Sequence, residues 1–167
     1  MQGNKAATLY IIQVYGWKGT VSIMKTISGK IFNVKIKIDR TQDDGLCKSV
    51  KEDYAVKAVN FTDCEAKITK EIGSADNVKD SFDVLAEVIA PYKEIYIFDE
   101  GETFYKVKVQ EPYTDDYGNE KKNTYHYLLN ATSIEQARKN IADVYGQSVR
   151  DYTIAAIIEQ KIIEVFE

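Results

Sequence analysis

Two cysteines, two prolines, one histidine, one tryptophan and three arginines are all that 167 residues contain of those types. Cys47 and Cys64 are too few for a disulfide scaffold or a four-ligand zinc site. Two prolines exclude a proline-rich linker. The apolar runs are a handful of residues each, far below the roughly 20 needed to cross a bilayer as a helix. A net charge of −4 excludes a polycation that wraps nucleic acid by bulk charge. The remainder is an ordinary globular composition, 44% hydrophobic and 29% charged, which excludes wholesale disorder.

Charge is unevenly spread. Residues 1–30 carry Lys5, Lys18, Lys25 and Lys30 and no acid, whereas residues 73–101 set Lys79 and Lys93 against seven carboxylates. The head, residues 1–23, resembles an export signal only until its apolar run breaks at Gln13, with no small-residue cleavage site beyond. No export signal is read, so a cytoplasmic setting with both cysteines as thiols is expected. The head is expected to add one strand, Thr8 to Tyr15, with Met24 a natural start for the rest of the chain.

The strongest signal is an internal repeat of about 70 residues. Val34-Lys35-Ile36-Lys37-Ile38 matches Tyr105-Lys106-Val107-Lys108-Val109, and Asp43-Asp44-Gly45 matches Asp116-Tyr117-Gly118. Tyr54 pairs with Tyr125, and Phe82-Asp83-Val84-Leu85-Ala86 with Tyr152-Thr153-Ile154-Ala155-Ala156. Within each unit, residues of period two mark half-buried strands and a glycine-bearing turn joins them. Thr62-Asp63-Cys64-Glu65 and Ser133-Ile134-Glu135-Gln136 fit capping boxes opening helices over 62–72 and 133–145. Cys64, Ile68 and Ile72 then fall on one helical face. The expected class is α+β: tandem duplicated ββα-β(β) units, 24–101 and 102–167, forming an antiparallel sheet with two helices packed on one face.

Phe32-x-Val34-Lys35-Ile36-Lys37-Ile38, Phe61-Thr62-Asp63-Cys64-Glu65-Ala66, Glu94-Ile95-Tyr96-Ile97-Phe98 and Phe104-Tyr105-Lys106-Val107-Lys108-Val109 carry a resemblance. The chain from Met24 to Glu167 resembles a duplicated domain-of-unknown-function family of gut anaerobic bacteria and their phages. The resemblance implies no activity and no catalytic motif.

The inventory for catalysis is thin. His126 stands alone between two tyrosines, and neither cysteine pairs with it in a hydrolase pattern. Asp43-Asp44 and Asp115-Asp116 read as hairpin turns rather than metal ligands, because Asp, Asn and Gly tolerate αL and bond locally. No glycine-rich phosphate loop is present. The expectation is a non-enzyme with no catalytic residues, no metal and no cofactor.

The distinctive feature is a lysine-bearing strand face. If helices cover Val34, Ile36 and Ile38, the other face shows Lys35 and Lys37, with Lys57 on the next strand. Lys106 and Lys108 repeat the placement beside Phe104 and His126. Such a face can neutralise phosphates with lysine and stack bases on a ring, so single-stranded nucleic acid is the expected partner. Tyr10, Tyr15 and Trp17 among the head's lysines offer a second such combination. The alternative is a protein-interaction or structural accessory module in which these lysines only solvate a strand and guard its edge. A homodimer through an exposed edge is compatible with either. The acidic total and the scarcity of arginine count against nucleic acid.

Overall fold

The computed structural model describes residues 23–73, 82–146 and 148–167. The expected head strand Thr8 to Tyr15, and the head's tyrosines and tryptophan, lie outside them.

Short-range chemistry explains most elements. β1 (Ile23–Ser28) leads into β2 (Ile31–Thr41), which turns back as β3 (Cys47–Lys57). The turn closes with Gln42 N–H donating to the Leu46 carbonyl at 2.8 Å, and Gly45 takes φ +80°, where a Cβ would be strained. β6 (Thr103–Thr114) and β7 (Glu120–Ala131) repeat this, with Asp115 N–H on the Asn119 carbonyl at 2.9 Å and Gly118 at φ +82°. β4 (Phe82–Ile89), β5 (Tyr92–Phe98), β8 (Thr153–Gln160) and β9 (Ile162–Phe166) complete the strands.

The helices are α1 (Phe61–Gly73) and α2 (Ile134–Tyr145). The first begins one residue before the Thr62 box. Asn60 is its cap, accepting from Asp63 N–H at 2.9 Å, while the Asp63 carboxylate accepts from Val59 N–H at 2.9 Å. Ser133 caps α2 as expected, its hydroxyl accepting from Gln136 N–H at 3.1 Å. Gln136 then spends its amide on Asn140 Oδ1 at 2.6 Å instead of reaching back.

The class is α+β, and mostly sheet. The sheet arrangement differs from the sequence expectation. The described residues form two sheets, ordered β1-β5-β7-β6-β8 and β4-β2-β3-β9. Neither is purely antiparallel, since β5 lies parallel to β7 and β9 parallel to β3. Each sheet therefore takes in strands from the other half of the chain, β1 and β5 in the five-stranded sheet and β9 in the four-stranded one. The chain passes between the sheets at Gly29-Lys30 after β1, and β5 and β9 are exchanged at two further corners, Ala90-Pro91 after β4 and Lys161 after β8. Pro91 has no N–H for a ladder, which favours a corner over a hairpin.

Three cores hold the layers. Cys64, Ile68 and Ile72 of α1 bury against Phe32, Val34, Ile36 and Ile38 of the four-stranded sheet. Ala137, Ile141 and Tyr145 of α2 bury against Tyr105, Val107 and Val109 of the five-stranded sheet. Between the sheets lies a third core of Ile27, Ile31, Ala55, Ala90, Tyr92, Ile95, Phe104, Leu128 and Ile162. The order is helix, sheet, sheet, helix, so the two helices do not share a face. At full burial each Ile contributes about 1.5–3 kcal/mol, which fixes which face of each strand turns outward. Among the described residues no helix is long and apolar enough to cross a membrane.

Candidate nucleic-acid interface

Strand alternation places the lysines as the sequence suggests. Val34, Ile36 and Ile38 point to α1, so Lys35 and Lys37 occupy the opposite face of β2. Tyr105, Val107 and Val109 point to α2, so Lys106 and Lys108 occupy the opposite face of β6. These are the two faces that meet in the third core. They are inner faces, covered at one end and carrying the lysines beyond it.

Phe104 is the correction. It lies on the lysine side, but its ring is only 8% exposed because the other sheet covers that end of β6. It offers nothing for a base to stack on. Lys57 is half-buried on the same side of β3 as Asp53 and Ala55, near the third core and away from Lys35 and Lys37.

The other residues fall into two groups, one on each sheet. Lys108 sits directly across from His126 on β7. Burial holds the His126 imidazole below its ordinary value, and the Lys106 and Lys108 ammonium groups push it further in the same direction. On the four-stranded sheet, Lys37 faces Lys51 across the ladder, a like-charge pair that favours an added anion. Lys35 makes a loose ion pair with Asp53 at 3.7 Å. None of the ion pairs among the described residues involves Lys37, Lys106 or Lys108.

Beside Lys35 the inner face of β2, β3 and β4 and the β8–β9 corner enclose a cleft of about 250 Å³. Asn33, Lys35, Asp53, Val88 and Lys161 line it. Asn33 Oδ1 is buried without a hydrogen-bond partner, as is the nearby Tyr92 hydroxyl. Burial raises the Tyr92 phenol above its ordinary value, and the facing Asn33 side chain opposes the rise.

The family described as Domain of unknown function (DUF4494) matches residues 30–167. The chain belongs to that family. The match takes in both helices and every strand but β1. Neither the curated proteins nor the solved structures compared with the chain give a match.

The DUF4494 domain also holds a polar network that no sequence pattern signals. The Tyr127 and Tyr145 hydroxyls meet at 2.6 Å, and Tyr145 donates to Glu111 Oε1 at 3.2 Å. Arg150 reaches the other Glu111 oxygen at 3.5 Å, and Tyr96 donates to Glu94 at 2.5 Å. Burial, hydrogen bonding and these carboxylates hold the Tyr96 and Tyr145 phenols well above their ordinary range. The members come from β5, β6, β7, α2 and the segment after it, so their sequence spacings are irregular. The network closes the open end of the α2 core, where a bare glutamate would be costly.

The remaining sequence candidates are structural in their contacts. Asp115 accepts from the Lys121 ammonium, from Asn119 N–H and from Tyr117 N–H, which hold its carboxyl at about 2. Its oxygens are spent on its own turn. Cys47 is exposed and Cys64 is fully buried. Burial first, and the Glu87 carboxylate next, push the Cys64 thiol up to about 12, far from a reactive thiolate. Among the described residues no three His, Cys, Asp or Glu side chains are grouped to hold a metal.

Proposed function

We propose that this protein is a non-enzymatic binding module that holds single-stranded nucleic acid along the lysines of its inner sheet faces. The observation that carries the reading is Lys106 and Lys108 set against His126, with no carboxylate among the described residues paired to either lysine. Lys35 and Lys37 supply a second group on the other sheet. With Phe104 buried, affinity in this reading comes from phosphate neutralisation, with bases resting on aliphatic neighbours such as Ile158 and Val88, 54% and 59% exposed. That makes binding salt-sensitive and tolerant of sequence. A cytoplasmic setting accompanies it.

We also infer that the halves are duplicates. The hairpins 42–46 and 115–119 close alike, and the stacked pairs Tyr54–Phe166 and Tyr96–Tyr127 occupy corresponding strands. The second reading, a protein-interaction module or an edge-paired homodimer, draws on one feature. The outer strand β4 leaves Leu85, Val88 and Ile89 about half exposed.

Fluorescence anisotropy with a labelled oligonucleotide at several salt concentrations tests the first reading. Changing Lys35, Lys37, Lys106 and Lys108 to Ala should flatten the salt slope by about 0.7 per lysine and weaken all sequences alike. An unmutated protein that binds no oligonucleotide at low salt leaves only the protein-interaction reading.

His126 gives an independent check by NMR titration. Its lowered value means that the unfolded chain holds more protons near and below pH 6.5, so this residue's contribution to stability declines as pH falls through that window. Changing Lys106 and Lys108 to Ala should raise the imidazole value toward 6.5. A bound oligonucleotide should raise it too, so affinity should increase as pH drops from about 7 to 6. An imidazole value unmoved by saturating oligonucleotide would remove His126 from the interface.

A further inference from the structure

We infer that the cleft beside Lys35 is a guanine-reading pocket, which takes one nucleotide of the bound strand. The inference rests on the single-strand reading and adds to it a base preference. A guanine edge presents an acceptor, O6, followed by two donors, N1–H and the 2-amino group. The Lys35–Asp53 pair presents the complement, an ammonium beside a carboxylate at 3.7 Å. Lysine to O6 and carboxylate to the adjacent N–H groups follow the general donor and acceptor logic of base-edge recognition.

The rest of the lining fits that placement. Asn33 gives the cleft a polar side chain that faces the Tyr92 hydroxyl. Val88, 59% exposed, supplies an apolar wall for the ring, and Lys161 at the β8–β9 corner can meet the phosphate. The volume, about 250 Å³, has room for a purine base with its sugar and phosphate outside. Uracil offers one donor between two acceptors, and adenine reverses the order by placing its amino donor where guanine has O6. Both leave either Lys35 or Asp53 facing a like group.

The test is a titration of the isotopically labelled full chain with GMP, UMP, guanosine and inorganic phosphate, followed by amide shifts. GMP should move the amides of Asn33, Lys35, Asp53 and Lys161 and bind at least about tenfold tighter than UMP. Asp53→Asn should erase that preference, whereas Lys161→Ala should weaken GMP and leave guanosine unchanged. Both positions are at least partly exposed, so both variants are expected to fold. Equal binding of GMP and UMP, or the same shifts from inorganic phosphate alone, overturns the guanine assignment. Oligonucleotide binding without any shift in the cleft sinks this inference and removes Lys35 from the lysine face, leaving Lys106, Lys108 and His126 to carry that reading. GMP binding without oligonucleotide binding does the reverse, retaining the pocket and discarding the strand.

Discussion

Gly101→Ala is expected to cost the fold about 2–4 kcal/mol, more than most exposed-loop substitutions. Gly101 joins β5 to β6 with φ +151°, a conformation that L residues rarely adopt. An added Cβ would lie 2.6 Å from Ala131 N, 2.7 Å from its Cα and 2.9 Å from its carbonyl carbon. Those are backbone atoms at the end of β7, and Ala131 is fully buried, so the neighbour cannot swing away as a side chain would. Relief requires moving the β5–β6 connection off the strand that it crosses. Urea unfolding should show a lower midpoint with an unchanged slope. A midpoint equal to wild type would mean that the connection is free to shift.

Asn130→Ala is expected to lose about 3 kcal/mol at the same place. The buried Asn130 side chain accepts from Phe98 N–H at 2.7 Å and donates to the carbonyls of Phe98 at 2.9 Å and Gly101 at 3.0 Å. Alanine leaves one donor and two acceptors of the backbone without partners in an apolar surround. Asn130→Asp distinguishes lost hydrogen bonds from lost volume, since a carboxylate accepts from Phe98 N–H but cannot donate to either carbonyl. It should therefore be no better than alanine, and worse at neutral pH if its charge stays buried. Because both changes loosen residues 99–102, the double variant should lose less than the two losses added. Full additivity would show that the glycine and the asparagine act on separate parts of the connection. Thermal melts give the same ranking, at about 2–4 °C per kcal/mol for a chain of this size.

Much of the local structure was legible because it depends on neighbours in sequence. Period-two burial marked β2 and β6, glycines at positive φ marked their hairpins, and Ser133 marked the start of α2. The Thr62 box failed because Asn60 and Asp63 cap the helix two residues earlier, accepting from Asp63 N–H and Val59 N–H, and spacing alone does not rank the two solutions. Strand partners were not legible. Nothing in Tyr92–Phe98 or Ile162–Phe166 says that each pairs with the far half, since that choice depends on where the chain turns its corners.

The same non-local choice governs the candidate site. Lys106, Lys108 and His126 could be placed together from alternation and one hairpin register. Phe104 shares their side, yet its exposure depended on a second sheet that its own strand does not announce. Asn33, Asp53 and Lys161 meet because a corner from the end of the chain lies over a face from its beginning. Repeat matching equated Tyr54 with Tyr125, whereas the stacked pairs set Tyr54 on Phe166 and Tyr127 on Tyr96.

The strand exchange at the two corners resists any division of the molecule. A piece ending near Asp99 keeps β2, β3, α1 and β4, but β3 loses its parallel neighbour and shows a bare ladder edge. Its own β5 is left with no β7 to lie against. Two such pieces can repair each other by trading that last strand, as swapped dimers do. The exchange of β5 and β9 thus has the topology of a strand swap between two tethered stretches of one chain. The tether makes the exchange independent of concentration, and it gives neither half a way to leave alone.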